Sequence, residues 1–384
     1  VMIYLARPNL SGREWEYVKK CLDENWISVA GEFVPQFEQK IAEYCQVKYA
    51  VATSSGTAAL HIAMRVLDIG PQDAVIVPTL TFVATVNAIC YTGASPIFMD
   101  VCSETWQMNI ELVENYLSHH TYYKSGFYYD KTTHKKIKAI LPVHVLGNMP
   151  DMKSIERIAQ KYNLIVIEDA AEALGSSYFN HKAGSLGKVG IFSFNGNKIV
   201  TTGGGGMLLT EDYEIAKHAR HLIHQAKING REYIHDEIGY NYRLLNILAA
   251  IGLAQLEQLP FFLEKKKQIF GFYCQELKEI GFIPFSLTQG VECNYWLSTF
   301  IIPSNVDKEN LLDFLYQNGI EARSFWKPMH TLPMFSRFKY FTYENVAQYI
   351  YQRAISLPSS TDIDLQDLQK VVSKIKEFVD ICVD

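Results

Sequence analysis

The sequence predicts an α/β fold with a large, mostly parallel sheet domain and a smaller C-terminal α/β domain. Three observations carry this expectation. A chain of 384 residues, 48% hydrophobic and 20% charged, is a folded protein longer than one hydrophobic core normally sustains. From about Lys48 to Thr210, short apolar runs alternate with amphipathic segments, and because the runs are continuous, the strands are read as covered on both faces, as in parallel sheets. After about residue 245 the texture changes to long helical stretches around a lone β-rich run. The division is placed between 1–245 and 246–384.

Taken in order, "YAVAT", "AVIVP", "PIFMDV", "IKAILPVHV", "LIVIED", "VGIFSF" and "GMLLT" read as strands. "TAALHIAMRVL", "FVATVNAICYTG" and "DMKSIERIAQKYN" read as the helices between them. Residues 118–139 break the rhythm with an aromatic, basic stretch around "KSG". It reads as an exposed hairpin whose tyrosines pack across the strands. In the second unit, "LEQLPFFLEKKKQIFGFYCQELKEIG" reads as one long helix, followed by the strand "YWLSTFIIP" and the helices "DKENLLDFLYQNG" and "LQDLQKVVSKIKEFV".

Composition narrows the function classes. A formal net charge of -5 gives no general attraction for nucleic acid or an anionic bilayer, so neither is expected as a partner. No run approaches the ~18 uninterrupted apolar residues of a membrane span. The seven cysteines form no C-x-x-C pair and read as reduced thiols of a cytoplasmic protein. The opening "VMIYLARP" lacks the charged and apolar regions of a secretory signal.

Three short motifs can carry chemistry. "VATSSGTAALHIAM", residues 51–64, runs from strand through a turn into a helix. The helix start, with Ser55, Gly56 and Thr57, forms a potential anion site, although Ser and Thr there also serve as ordinary caps. "LIVIED" delivers Glu168 and Asp169 at the end of a strand, where a carboxylate can orient a cofactor or cap the next helix. "SFNGNKIVTTGGGG", residues 193–206, places Lys198 before four glycines. A P-loop has the reverse order, with Ser or Thr after the lysine, so this is not one. If all three share one sheet edge, the set suits pyridoxal phosphate, which needs a lysine for covalent attachment, an acid for its ring nitrogen and a phosphate cradle. No metal is expected: His218, His221 and His224 have helical spacing, but no neighbouring acidic residue or H-E-x-x-H pattern accompanies them in "HARHLIHQ".

The ordered set "SSGTAAL", "PTLTFVATVNAI", "IEDAAEALGS", "SFNGNK" with "TTGGGGM", and "IGYNYRL" resembles the DegT/StrS family of pyridoxal-phosphate-dependent nucleotide-sugar aminotransferases, over nearly the whole chain. The resemblance implies the type I (aspartate aminotransferase) fold. It implies that Lys198 is the Schiff-base lysine and Asp169 the partner of the pyridinium nitrogen. Ser55, Gly56, Thr57 and Ser193 would hold the phosphate, Phe82 would stack on the ring, and Asn241 would reach the phosphate of a neighbouring subunit, hence a homodimer with shared sites. Trp26, Ser28 and Gly31 of "WISVAGEF" correspond to a loop near the sugar nucleotide, and His330 to a segment that approaches the site. "SFNGNK" and "WISVAGEFV" resemble the branch that aminates C4 of UDP-linked 4-keto-6-deoxy-N-acetylhexosamines of the bacillosamine or legionaminic acid type, with L-glutamate as amino donor. The alternatives are another type I reaction on an amino acid, such as elimination or desulfuration, and a catalytically silent sugar-nucleotide binder.

Two positions depart from the family pattern. Glu172 stands where many relatives have Gln or His. Next to a phenolic oxygen it must be protonated, turned away or bonded through another group. Gly204 stands where relatives often carry an acid.

Overall fold

The computed structural model describes residues 2–382 except Asn229. Eight strands form the main path of a ten-stranded sheet among the described residues. Their order is Tyr49–Thr53, Gly206–Thr210, Val189–Ser193, Ile165–Asp169, Lys136–Ile140, Asp73–Pro78, Ser95–Met99 and Tyr340–Phe341. All neighbours are parallel except Gly206–Thr210, which is antiparallel on both sides. The continuous apolar runs are therefore what they looked like, strands buried on both faces. Val51, Val75, Val77, Ile167 and Ile191 face one core, and Ala50, Ile76, Ile97, Ile140 and Phe192 the other.

Two of the crossover helices start where the sequence supplies a side-chain cap. Ser55 accepts the Ala58 N–H at the start of Gly56–Val66, and Asp151 accepts the Ser154 N–H at the start of Met152–Tyr162. The latter helix ends at Asn163 in the left-handed conformation (φ 53°), which asparagine tolerates. The hairpin is Thr121–Lys124 paired with Phe127–Asp130, and Tyr122 stacks on Tyr129 directly across it.

The second unit centres on a four-stranded antiparallel sheet: Ile283–Pro284, Ser298–Ile301, Ala354–Leu357 and Arg323–Ser324. Lys308–Gln317, Leu365–Ile381 and Leu259–Leu277 contribute to its core through Leu311, Val371 and Tyr273. The expected single long helix is two, Asn246–Glu257 and Leu259–Leu277, bent by 62°. Pro260 in the first turn of the second helix lacks an N–H and clashes with the preceding turn, so the ladder stops at Gln258. Packing runs past the division expected at residue 245. Ala249, Ala250 and Leu253 of the first of these helices join the core of the large sheet, and Tyr340–Phe341 extends that sheet from the C-terminal part of the chain. No single helix among the described residues is long and apolar enough to cross a bilayer.

Candidate active site

A cavity of about 430 Å³ opens between the carboxyl ends of the large sheet's strands and the small sheet. This is where open parallel sheets place ligands. Ser55, Gly56, Thr57, Phe82, Asp169, Glu172, Ser193 and Lys198 all line it.

Strand register explains the convergence. Thr53 and Ser193 both pair with Gly206, so the ends of two strands meet across that one residue. A Cβ on Gly206 would stand 2.4 Å from the Ser55 carbonyl oxygen and 2.6 Å from Gly56 N, and one on Gly56 would stand 2.8 Å from Ser193 Cβ. These glycines let the helix start settle onto the sheet, with Ser193 beside it. The first N–H groups of such a helix have no intrahelical acceptor and carry the positive end of its dipole, so the corner is an anion cradle. Gly203 has φ +83°, while a Cβ on Gly204 would meet nothing within 4 Å. The glycine run turns the chain, and position 204 faces open space at the cavity wall.

Strand alternation separates the two acids of "LIVIED". Asp169 faces the cavity, where its carboxylate accepts hydrogen bonds from Thr85 Oγ1 (2.6 Å) and the Ala171 N–H (3.1 Å). Thr81 Oγ1 lies 2.8 Å from Thr85 Oγ1 and extends the chain of hydroxyls. Burial raises the proton affinity of Asp169, and the Thr85 and Ala171 bonds oppose it. Glu168 is fully buried away from the cavity, accepting the N–H groups of Gly184, Leu186 and Gly187 with His144 Nε2 at 2.8 Å. It is a structural carboxylate that orders the loop before Val189–Ser193.

Lys198 follows a turn closed by its own N–H to Asn195 O. Its side chain is 13% exposed, with Nζ 3.9 Å from Glu172 Oε1 and 4.0 Å from the centre of the Trp296 ring. The indole face and both carboxylates favour the ammonium form. Burial outweighs the carboxylates, and the Lys198 pKa is lowered. Glu172 accepts the Leu146 N–H through Oε2 (2.7 Å), and burial raises its pKa despite Lys198 nearby. Of the three expectations for Glu172, bonding through another group is realised, and the shift favours its protonated form.

Other expected residues lie elsewhere. Asn241, Trp26 and Ser28 are exposed and outside the cavity lining. Gly31, with φ +140°, packs against Asn246, whose Nδ2 donates to the Trp26 carbonyl. His330 Nδ1 lies 2.7 Å from Thr79 Oγ1 and its ring stacks 3.6 Å from Tyr340, so it braces the strand before Thr81 without lining the cavity. Sequence reasoning missed Thr85, Trp296, Arg323 and Trp326, which line the cavity. Thr85 had a signal, its spacing of one turn from Thr81. The others come from the small sheet, whose placement no local pattern records.

The chemistry of these donors fits pyridoxal phosphate: a lysine with lowered proton affinity, a hydrogen-bonded carboxylate and a helix-start cradle face one space of suitable size. The model of the DegT/DnrJ/EryC1/StrS aminotransferase family matches residues 8–376. The chain belongs to this family. It is an aminotransferase, and its cofactor is pyridoxal 5′-phosphate. The chain is 41% identical to GDP-perosamine synthase of Escherichia coli O157:H7 over 376 residues, covering 98% of each chain. It is 35% identical to GDP-perosamine synthase of Vibrio cholerae, covering 98% of this chain and 99% of that one. The PLP form of Spr1654 from Streptococcus pneumoniae superposes with a TM-score of 0.88 over 100% of both chains at 24% identity, a likeness of fold.

Proposed function

We propose that the protein moves an amino group from an amino acid, L-glutamate by resemblance, to the 4-keto group of a nucleotide-linked 6-deoxy sugar. The carrying observation is the meeting of Lys198, Asp169 and the helix start at Gly56 in one cavity. When bound, pyridoxal phosphate supplies an electron sink for the cleavage of a Cα–H bond. Gly56 and Thr57 would hold its phosphate through backbone N–H groups, with the Ser193 hydroxyl beside them and Ser55 fixing the helix start. Phe82 would lie against the ring, and Asp169, oriented by Thr85, would favour the protonated ring nitrogen. Lys198 would be the point of covalent attachment, and its lowered proton affinity suits a base that carries a proton between carbon atoms. Glu172, held by the Leu146 N–H, would in its protonated form offer the cofactor's phenolic oxygen a neutral donor.

Two observations bear on the nucleotide. The "SFNGNK" and "WISVAGEFV" forms support a UDP-linked N-acetylated sugar, whereas the relatives named GDP-perosamine synthase support a GDP-linked one. The longer match to those relatives weights the choice toward GDP. Asn241, Trp26, Ser28 and Gly31 are outside the cavity of their own chain, which suits a homodimer in which each subunit completes its partner's site. The seven free thiols suit the reducing cytoplasm.

The decisive experiment incubates the protein with pyridoxal phosphate, reduces with borohydride, and maps the adduct by mass spectrometry. Glutamate-dependent amination of UDP-, GDP- and dTDP-linked 4-keto-6-deoxy sugars is then followed by product mass. An adduct on Lys198 and an aminated sugar are expected. A colourless protein without an adduct, or a loaded protein that aminates none of these sugars, overturns the proposal.

A further inference from the structure

The histidine face expected to lack acidic neighbours has them, brought from later in the chain. His221 Nε2 lies 2.6 Å from Asp236 Oδ1 and 3.9 Å from Glu237 Oε1, and His218 Nε2 lies 2.8 Å from the same Glu237 oxygen. Ligand atoms of His221, Asp236 and Glu237 all fall within 4.8 Å of one another.

We infer that His221, Asp236 and Glu237 form a binding site for a divalent transition metal, with His218 orienting Glu237. An imidazole with two carboxylates suits Zn²⁺, Co²⁺ or Ni²⁺ better than Mg²⁺ or Ca²⁺, which favour all-oxygen shells. Two ionised carboxylates neutralise the dication, and three protein ligands leave a fourth position for water. In a tetrahedral site, donors about 2.0–2.2 Å from the metal lie about 3.3–3.5 Å apart, so the His221–Asp236 pair has to open by less than about 1 Å. His221 is partly buried but Asp236 is exposed, which gives the carboxylate room to do so.

His221 stands in the last turn of Tyr213–Ile223, where the helix dipole favours a cation. Lys217, Arg220 and Lys227 border the adjoining depression, and Arg220 is already paired with Glu38 at 2.8 Å. Affinity must therefore come from direct ligation rather than the surrounding field. The consequence is mechanical. The chain returns to the helix through Lys227–His235 pairing and an Asp236 N–H to Ala226 O bond, and a bound metal would staple the return that leads directly to Asn241.

The test uses the full-length holoenzyme, stripped with a chelator and desalted, titrated with Co²⁺ alone. One equivalent per chain with visible d–d absorption is expected, together with a rise in Tm on adding Zn²⁺. His221→Ala and Asp236→Asn should each weaken Co²⁺ binding by at least about tenfold, and His218→Ala by about tenfold. Two substitutions at separate ligands keep the test open if one variant folds poorly. No saturable absorption up to millimolar Co²⁺, or binding by His221→Ala and Asp236→Asn as tight as by the unsubstituted protein, would leave only surface ion pairs and overturn the site.

Discussion

At the scale of the residue, the cavity divides its work among groups whose proton affinities burial has moved. On the proposed roles, Lys198→Ala would remove both the attachment point and the proton carrier, so kcat should fall by at least about 10²–10⁴-fold. Absorbance titration should still detect pyridoxal phosphate binding, because the phosphate cradle at Gly56 and Ser193 is untouched. Asp169→Asn keeps the Thr85 contact but removes the charge, and kcat should fall while Tm changes little. Glu172 gives a sharper comparison. Glu172→Gln retains an acceptor for the Leu146 N–H, whereas Glu172→Ala leaves that buried donor unpaired, a loss of about 1–3 kcal/mol. Thermal unfolding should rank them wild type and Gln together, Ala below; an Ala variant as stable as the Gln variant would refute the role of that bond. That Lys198, Asp169 and Gly56 meet in one cavity was legible because each stands at or just beyond the carboxyl end of a β-rich run of the same sheet. Thr85, Trp296 and Arg323 were not, since their roles depend on which elements meet, and Glu168 looked equivalent to Asp169 until strand alternation turned it away.

At the scale of the element, the sheet edge depends on close backbone approach at one glycine. Gly206→Ala forces a Cβ to 2.4 Å from the Ser55 carbonyl, so either the strand or the helix start must move. We expect about 1–3 kcal/mol of destabilisation and weaker cofactor binding, measured by urea unfolding and absorbance titration. Gly204→Ala, with nothing within 4 Å of its Cβ, should leave both within error. The hairpin supplies a pH test. Burial pushes the Asp130 carboxyl up, but the Lys339 ammonium (2.8 Å), the Tyr116 hydroxyl and the Thr133 N–H more than reverse this, holding it at about 2. A carboxyl near 3.9 in the unfolded chain and lower when folded adds stability that is present above about pH 4 and lost as pH falls toward 2. Lys339→Met should therefore be less stable than wild type at pH 7, with the gap closing between about pH 4 and 2. Element type was readable in the large sheet from Tyr49 to Thr210, because strands buried on both faces and amphipathic helices write strong patterns, whereas the two-residue edge strand Tyr340–Phe341 is too short to write one. The break at Gln258 was hidden for another reason: "LEQLPFFLEKK" keeps helical composition on both sides, and only the missing N–H of Pro260 marks the bend.

At the scale of the whole molecule, the chain presents an active-site cavity while Asn241, Trp26 and Ser28 remain outside it. No local pattern in the sequence states where a second copy sits, which is why these residues could be assigned only through resemblance. If each site combines Lys198 of one subunit with Asn241 of the other, two inactive variants must rescue one another. In a mixed dimer of Lys198→Ala and Asn241→Ala subunits, one site carries both substitutions and the other carries neither. Random assembly makes about half of the dimers mixed, so coexpression at equal levels should restore roughly a quarter of wild-type activity. Each variant expressed alone should remain near zero for Lys198→Ala and well below wild type for Asn241→Ala. If both residues acted within the same subunit, every site in the mixture would carry one defect, and activity would stay at the mean of the two parents. Sedimentation of the mixture as dimers, with activity at that mean, would rule out shared sites while leaving the cavity chemistry of each chain intact.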